Sequence, residues 1–201
     1  MSAESSSNVV PWPIAPRPFY EEAFGGWLGR VATRYQVSVA MLWQMSASEP
    51  LPSLGTAGWI LFPPISQTAL QRFSTLARLD EDRLRHIQTP SAWLFNWRCV
   101  PYCFRCLVLN DADVAVPRWK REWLDPTAEF CSVHHTVLET VPASVFRLSG
   151  HFAAALRAIS RYREKRVQGP QMAALAELTD TISVAADAIS TNFELQQRPP
   201  S

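Results

Sequence analysis

The stretch Pro101-Tyr102-Cys103-Phe104-Arg105-Cys106-Leu107, answered further on by Phe130-Cys131-Ser132-Val133-His134-His135, decides how the middle of this chain is read. All four cysteines, Cys99, Cys103, Cys106 and Cys131, fall within residues 99–131, a clustering that scattered core cysteines do not show. Zinc takes four tetrahedral nitrogen or sulfur ligands, and two ligands separated by two residues can bend around one ion in a knuckle turn. Cys103-x-x-Cys106 has that spacing and Cys131-x-x-His134 repeats it. The pair predicts one structural zinc ion held by Cys103, Cys106, Cys131 and His134. Residues 107–130 between the knuckles suffice for a strand and a helical turn, and Trp119 and Trp123 are placed to pack beside the metal.

Other readings of the same residues stay open. Cys103 and Cys106 would serve as small buried hydrophobes if His134 lay on the surface. Cys99, four residues before Cys103, has the wrong spacing for a knuckle and is read as buried or free; His135 adjoins His134 and could replace it as the fourth ligand. A redox Cys-x-x-Cys belongs at a helix N-terminus after a strand, and no βαβ pattern surrounds this one. A closed four-ligand site leaves no position for water, and the sequence places no base beside either thiol, so a thiol-dependent enzyme is the weaker reading. There is also no Walker-type phosphate loop and no paired-carboxylate motif of a nuclease, so the chain is read as non-enzymatic.

Outward from the cysteines, the pattern is helical. Phe24, Trp27, Leu28, Val31 and Tyr35 recur at helical spacing with Arg30 and Arg34 on the other side, which predicts a helix over about 19–35. Ser38, Ser66 and Asp80 are N-cap residues for three further helices, carrying Val39, Leu42 and Trp43, then Leu70, Phe73 and Leu76, then Leu84 and Ile87. The last two, joined at Arg78-Leu79, have the outline of a helix-turn-helix, in which Arg83, Arg85 and Gln88 could face base edges or simply form a solvated face. Beyond Phe146 the pattern predicts helices over 151–167 and from Gln171 to about Phe193.

With 201 residues the chain can bury one moderate core or two small ones. Its 19 Lys and Arg against 18 Asp and Glu announce no nucleic-acid binder by bulk charge. The charge is uneven, however. Arg157, Arg161, Arg163, Lys165 and Arg166 crowd one helical segment, a candidate for sequence-independent contact with a nucleic-acid backbone or a solvated face. The start, Met1-Ser-Ala-Glu-Ser-Ser-Ser, lacks a basic and apolar signal pattern, and Trp59-Ile-Leu-Phe stops at Pro63-Pro64, so a cytoplasmic protein is expected. Most aromatic residues are assigned to the core, while Trp93, Phe95 and Trp97 are candidate partner anchors. The chain divides into an extended lead-in over 1–18, a helical domain over 19–90, a zinc-finger module over 91–146, a helical extension over 147–195 and a disordered tail over 196–201.

Two stretches together resemble the TniQ family, the target-selection proteins of transposons. Pro18-Phe-Tyr-Glu-Glu-Ala-Phe-Gly-Gly-Trp-Leu-Gly-Arg-Val-Ala is similar to the family opening, in which an acidic residue precedes a short Ser-Trp-Leu helix start. The order that follows also fits: short helices, Cys103-x-x-Cys106-Leu, the segment Trp119-Lys-Arg-Glu-Trp123, then Cys131-x-x-His134 and Leu138. The likeness spans roughly residues 10–140. This chain has Thr140-Val-Pro-Ala where many members carry a second pair of cysteines, and Glu22-Ala-Phe in place of Glu-Ser-Leu; its length is that of the compact members associated with CRISPR-guided transposition. The resemblance implies a mainly α protein with a helix-turn-helix-like N-terminal domain, a zinc-finger module and C-terminal helices. It further implies an adaptor between a targeting complex, either a CRISPR effector or a DNA-binding protein, and the transposon's AAA+ ATPase on DNA. A stand-alone zinc-containing DNA-binding regulator is the alternative.

Overall fold

Ser38, Ser66 and Asp80 each end an extended segment and start a helix, because each side-chain oxygen accepts a backbone N–H that the first turn leaves unpaired: Met41 at 3.0 Å, Ala69 at 3.0 Å and Asp82 at 2.7 Å. The computed structural model describes residues 9–109 and 117–168. Its helices are α1 (Phe24–Tyr35), α2 (Val39–Ser46), α3 (Gln67–Ala77), α4 (Glu81–His86) and α5 (Ser144–Leu148). Single turns lie at Gly58–Leu61, Ser91–Trp93 and Arg121–Leu124, and a π-helical turn at Arg105–Leu109. Among the described residues the fold is mainly α, with one small sheet of two strands, β1 (Cys99–Tyr102) and β2 (Glu139–Pro142).

The chain divides into two units, Met1–Ser160 and Arg161–Ser201. In the first, residues 152–160 are helical and contribute Phe152, Ala155 and Ile159 to the core. Of the second, residues 161–168 are described and are helical, as the sequence predicts. The helix expected from Gln171 and the tail lie outside the described residues.

One hydrophobic core runs through the first unit. Trp27, Trp43 and Phe73 of the helices belong to the same cluster as Tyr102, Trp119 and Trp123 of the segment that carries the cysteines, so the segments 19–90 and 91–146 share an interior. The extended lead-in is packed as well. The Trp12 ring sits among Trp27, Tyr35 and Phe73, while Trp27 Nε1 donates to Pro16 O at 2.8 Å and the Tyr35 hydroxyl to Ile14 O at 2.8 Å.

α1 begins at Phe24 rather than near residue 19, because the preceding residues are used differently. Glu22 pairs with Lys120 in an isolated antiparallel bridge, Ala23 N donates to Trp119 O and Phe24 N to Ile87 O. The expected placement of Arg30 on the polar side also changes. Arg30 is 7 % exposed and turns inward to Glu22, which is fully buried. The glycines of α1 permit close approach. A β-carbon on Gly29 would lie 2.6 Å from the Trp59 ring, and one on Gly25 would lie 2.0 Å from the Trp59 carbonyl oxygen. Helix propensity is given up there for contact with the Gly58–Leu61 turn.

No helix of the described residues is long and apolar enough to cross a membrane.

Candidate metal centre

The two-stranded sheet brings the knuckles together. β1 and β2 pair antiparallel in the register Val100 to Val141 and Tyr102 to Glu139, so the residue after β1, Cys103, starts beside the chain that leaves the second knuckle. An isolated bridge between Phe130 and Val137 closes the base of that knuckle. Inside it, Cys131 N donates to Thr136 O at 2.8 Å and His135 N to Cys131 O at 2.9 Å. His135 takes the left-handed conformation, φ 51°, that the tight turn needs. On the other side, Leu107 N donates to Cys103 O at 3.0 Å, which starts the π-helical turn and swings Cys106 back toward Cys103.

Cys103, Cys106, Cys131 and His134 converge, with one ligand atom from each lying within 4.8 Å of all the others. Two sulfurs bound to one tetrahedral zinc at about 2.3 Å lie about 3.8 Å apart, and a sulfur and an imidazole nitrogen about 3.5 Å apart. Here Cys106 Sγ and Cys131 Sγ are 3.6 Å apart, and His134 Nδ1 stands 3.5 Å from Cys103 Sγ, 3.1 Å from Cys106 Sγ and 3.8 Å from Cys131 Sγ. The group can hold one metal ion. His134 is the histidine of the group, while His135 is exposed. Cys99 is exposed on β1 and free.

The surroundings prepare the thiols for a cation. Burial pushes the Cys106 thiol up, with the neighbouring cysteine sulfurs adding to it and the Lys120 ammonium opposing. Burial opposes ionisation of Cys131 most strongly, but backbone N–H groups of His134 and Val133 together with hydrogen bonds from Cys103 and Cys106 hold that thiol below its ordinary range. The first of these is visible as His134 N donating to Cys131 Sγ at 3.5 Å. Crowded, partly buried thiols that disfavour shared negative charge ionise readily once a divalent ion neutralises them. Trp119 and Trp123 are fully buried, in edge-to-face contact at 5.6 Å, and belong to the core rather than to an open cleft.

Arg83 donates to Pro18 O at 2.8 Å and stacks on Tyr20, Arg85 pairs with Glu81 and Asp82, and Gln88 Oε1 accepts from Ile65 N at 2.8 Å. All three lie at or just beyond α4, whose first turn carries the acidic Glu81 and Asp82. Arg157 is exposed in the first unit; Arg161, Lys165 and Arg166 are exposed and Arg163 half-buried in the second. Trp93 and Trp97 are half-buried against the core, linked by Trp97 Nε1 donating to Trp93 O at 3.2 Å, and Phe95 between them is 57 % exposed. The sequence reading missed the inward turn of Arg30 and the ion pair of Arg118 with Glu21 at 2.7 Å. The signal was the double acid Glu21-Glu22 at the start of an apolar helix.

The chain is mainly α, sets Glu21 and Glu22 just before its first helix and closes on a Cys3His cluster able to hold one metal ion. The TniQ family model matches it over residues 13–138, which include both Glu22 and the entire cluster, and the chain belongs to the TniQ family. It is therefore a transposition-associated protein. A search of curated proteins gives no match.

Proposed function

We propose that this protein is a non-enzymatic adaptor for target-site selection in DNA transposition, linking a targeting complex to the transposon AAA+ ATPase and to DNA. The observation that carries this reading is the family match over residues 13–138, which takes in the helical core and the metal cluster together. An adaptor needs a rigid body with distinct surfaces, and the shared core of helices and knuckles supports one. The ion we assign to Cys103, Cys106, Cys131 and His134 is zinc, because three soft thiolates and one imidazole at tetrahedral spacing suit it. Bound there, zinc would cross-link the two knuckles and supply folding energy. Phe95, flanked by Trp93 and Trp97, is the partner anchor in this reading. Arg161, Arg163, Lys165 and Arg166 of the second unit supply the contact with the DNA backbone in this reading, and Arg157 of the first unit is a separate basic candidate.

The test is co-sedimentation of the purified, zinc-loaded protein with the transposon's AAA+ ATPase assembled on duplex DNA with ATP. Stoichiometric capture that requires the ATPase is the expected result. A protein that stays in the supernatant and shifts one DNA sequence by itself would instead be a zinc-stabilised DNA-binding regulator.

A further inference from the structure

At the end of the α3–α4 pair lies an open pocket of about 440 Å³, lined by Gln67, Arg85, Gln88, Thr89 and Arg121 among others. Its polar lining carries several donors, set among Pro64, Ile65, Leu70 and Pro90. Arg121 is anchored by its backbone N–H donating to Glu21 O at 2.7 Å and by one guanidinium nitrogen donating to His86 O, which fixes the rest of its planar fork beside the pocket. Gln88 spends its amide oxygen on Ile65 N at 2.8 Å, so its amide nitrogen is turned away from that bond. Arg85 stands half-exposed at the rim, held by the exposed carboxylates of Glu81 and Asp82. Exposed pairs of that kind are weak and yield to a better anion.

The most informative group is Thr89. Thr89 is one of the lining residues, is fully buried, and among the described residues its hydroxyl has no hydrogen-bond partner. A buried hydroxyl without a partner destabilises a fold unless something supplies one. Arg83 and Arg121 also set the field on the inner side, whereas Glu81 and Asp82 stand at the rim with Arg85. Burial first, then the charges of Arg121 and Arg83, hold His86 below the ordinary imidazole range.

We propose that this pocket binds a phosphate group, with Arg121, Arg85, the Gln88 amide and the Thr89 hydroxyl as its donors. A phosphate is the anion proposed, because its additional oxygens offer more acceptor directions than the two coplanar oxygens of a carboxylate, and Arg forks match phosphate oxygens. The source is either a free phosphate compound or the backbone of a nucleic acid; the chemistry is shared. The proposal is independent of the adaptor reading, since capture by the ATPase is a separate readout.

The experiment uses the full chain with zinc bound. Inorganic phosphate is titrated against chloride and acetate at matched ionic strength, reading melting temperature and the amide resonances of Gln88 and Thr89. A saturable response specific to phosphate is expected. Thr89→Val should melt at the same temperature as wild type or higher without phosphate, because it removes an unpartnered hydroxyl, and should lose the phosphate-dependent rise. Arg85→Gln should fold normally and weaken phosphate binding about tenfold or more. Competition by a short duplex of arbitrary sequence assigns the phosphate to a nucleic-acid backbone, and competition by a mononucleotide alone assigns it to a small ligand; both support the site. A response no larger than that to chloride, an equal or stronger response to acetate, or an unchanged phosphate affinity in Thr89→Val overturns it.

Discussion

The Arg30 guanidinium grips both oxygens of the Glu22 carboxylate, Nε to Oε1 and Nη2 to Oε2 at 2.7 Å each, beneath the surface of the protein. Glu22 also accepts from Phe19 N at 3.1 Å, and Arg30 donates to Arg17 O at 2.9 Å. Phe19 is covered by two cations, Arg118 at 4.1 Å and Arg30 at 5.1 Å from its ring centre. The lead-in is therefore fastened to α1 by charge as well as by packing.

Removing one partner of such a pair leaves an uncompensated buried charge, a loss of about 3–5 kcal/mol. Arg30→Met should fall in that range by denaturant unfolding, whereas Arg34→Met should change stability little. The pH dependence of Glu22→Gln has a definite sign. Burial raises the Glu22 carboxyl above its ordinary range against the opposing pull of Arg30, so the folded protein holds that proton more tightly than the unfolded chain. Stability from this group is fully present below the unfolded value of about 4.3 and is lost as pH rises through the folded one. The melting-temperature gap between wild type and Glu22→Gln should therefore narrow from acid toward neutral pH. A gap that widens over that range would show the carboxyl to be depressed.

The metal cluster separates ligands from bystanders. Cys131→Ser and His134→Ala should each lose bound zinc and melt well below wild type, as should the wild-type protein with a strong chelator. Cys99→Ser and His135→Ala should keep the full zinc content, since Cys99 lies exposed on β1 and His135 is exposed on the turn. Metal analysis beside thermal melting checks all four. Full zinc content in Cys131→Ser would remove the assignment.

Gly29 tests the fit of α1 against Trp59. In an open helix Gly→Ala is stabilising, but here the new methyl would meet the Trp59 ring at 2.6 Å. Gly29→Ala should destabilise by about 1–3 kcal/mol through overpacking. Pairing it with Trp59→Leu should recover part of that loss in a double-mutant cycle.

What could be read from the sequence was what local chemistry determines. The caps Ser38, Ser66 and Asp80 need only their own first turns, and the knuckles need only two-residue spacings. What could not be read was set by distant partners. Periodicity assigned Arg30 to solvent because its partner Glu22 is held in place by a bridge to Lys120, far along the chain. β1 and β2 carry Pro101 and Pro142, are short, and show no clean alternation of burial, so nothing in the pattern announced them. The Thr89 pocket arises only when α4 and the Arg121 turn meet.

Phe95 distinguishes an interface residue from a packing residue. At 57 % exposure it contributes little to the interior, and truncation of such a surface side chain should change stability by no more than about 0.5 kcal/mol. Trp93 and Trp97, half-buried against the core, hold the segment that presents it, and Thr56 ties that segment down by donating to Trp97 O at 2.8 Å. Interface aromatics seated in a partner's pocket each lose about 2 kcal/mol or more on truncation. Phe95→Ala should thus leave melting unchanged while weakening capture by the AAA+ ATPase at least about thirtyfold, the equivalent of that loss. Trp97→Ala would lower both, because it loosens the support. Unchanged capture by Phe95→Ala would move the partner surface elsewhere on the molecule.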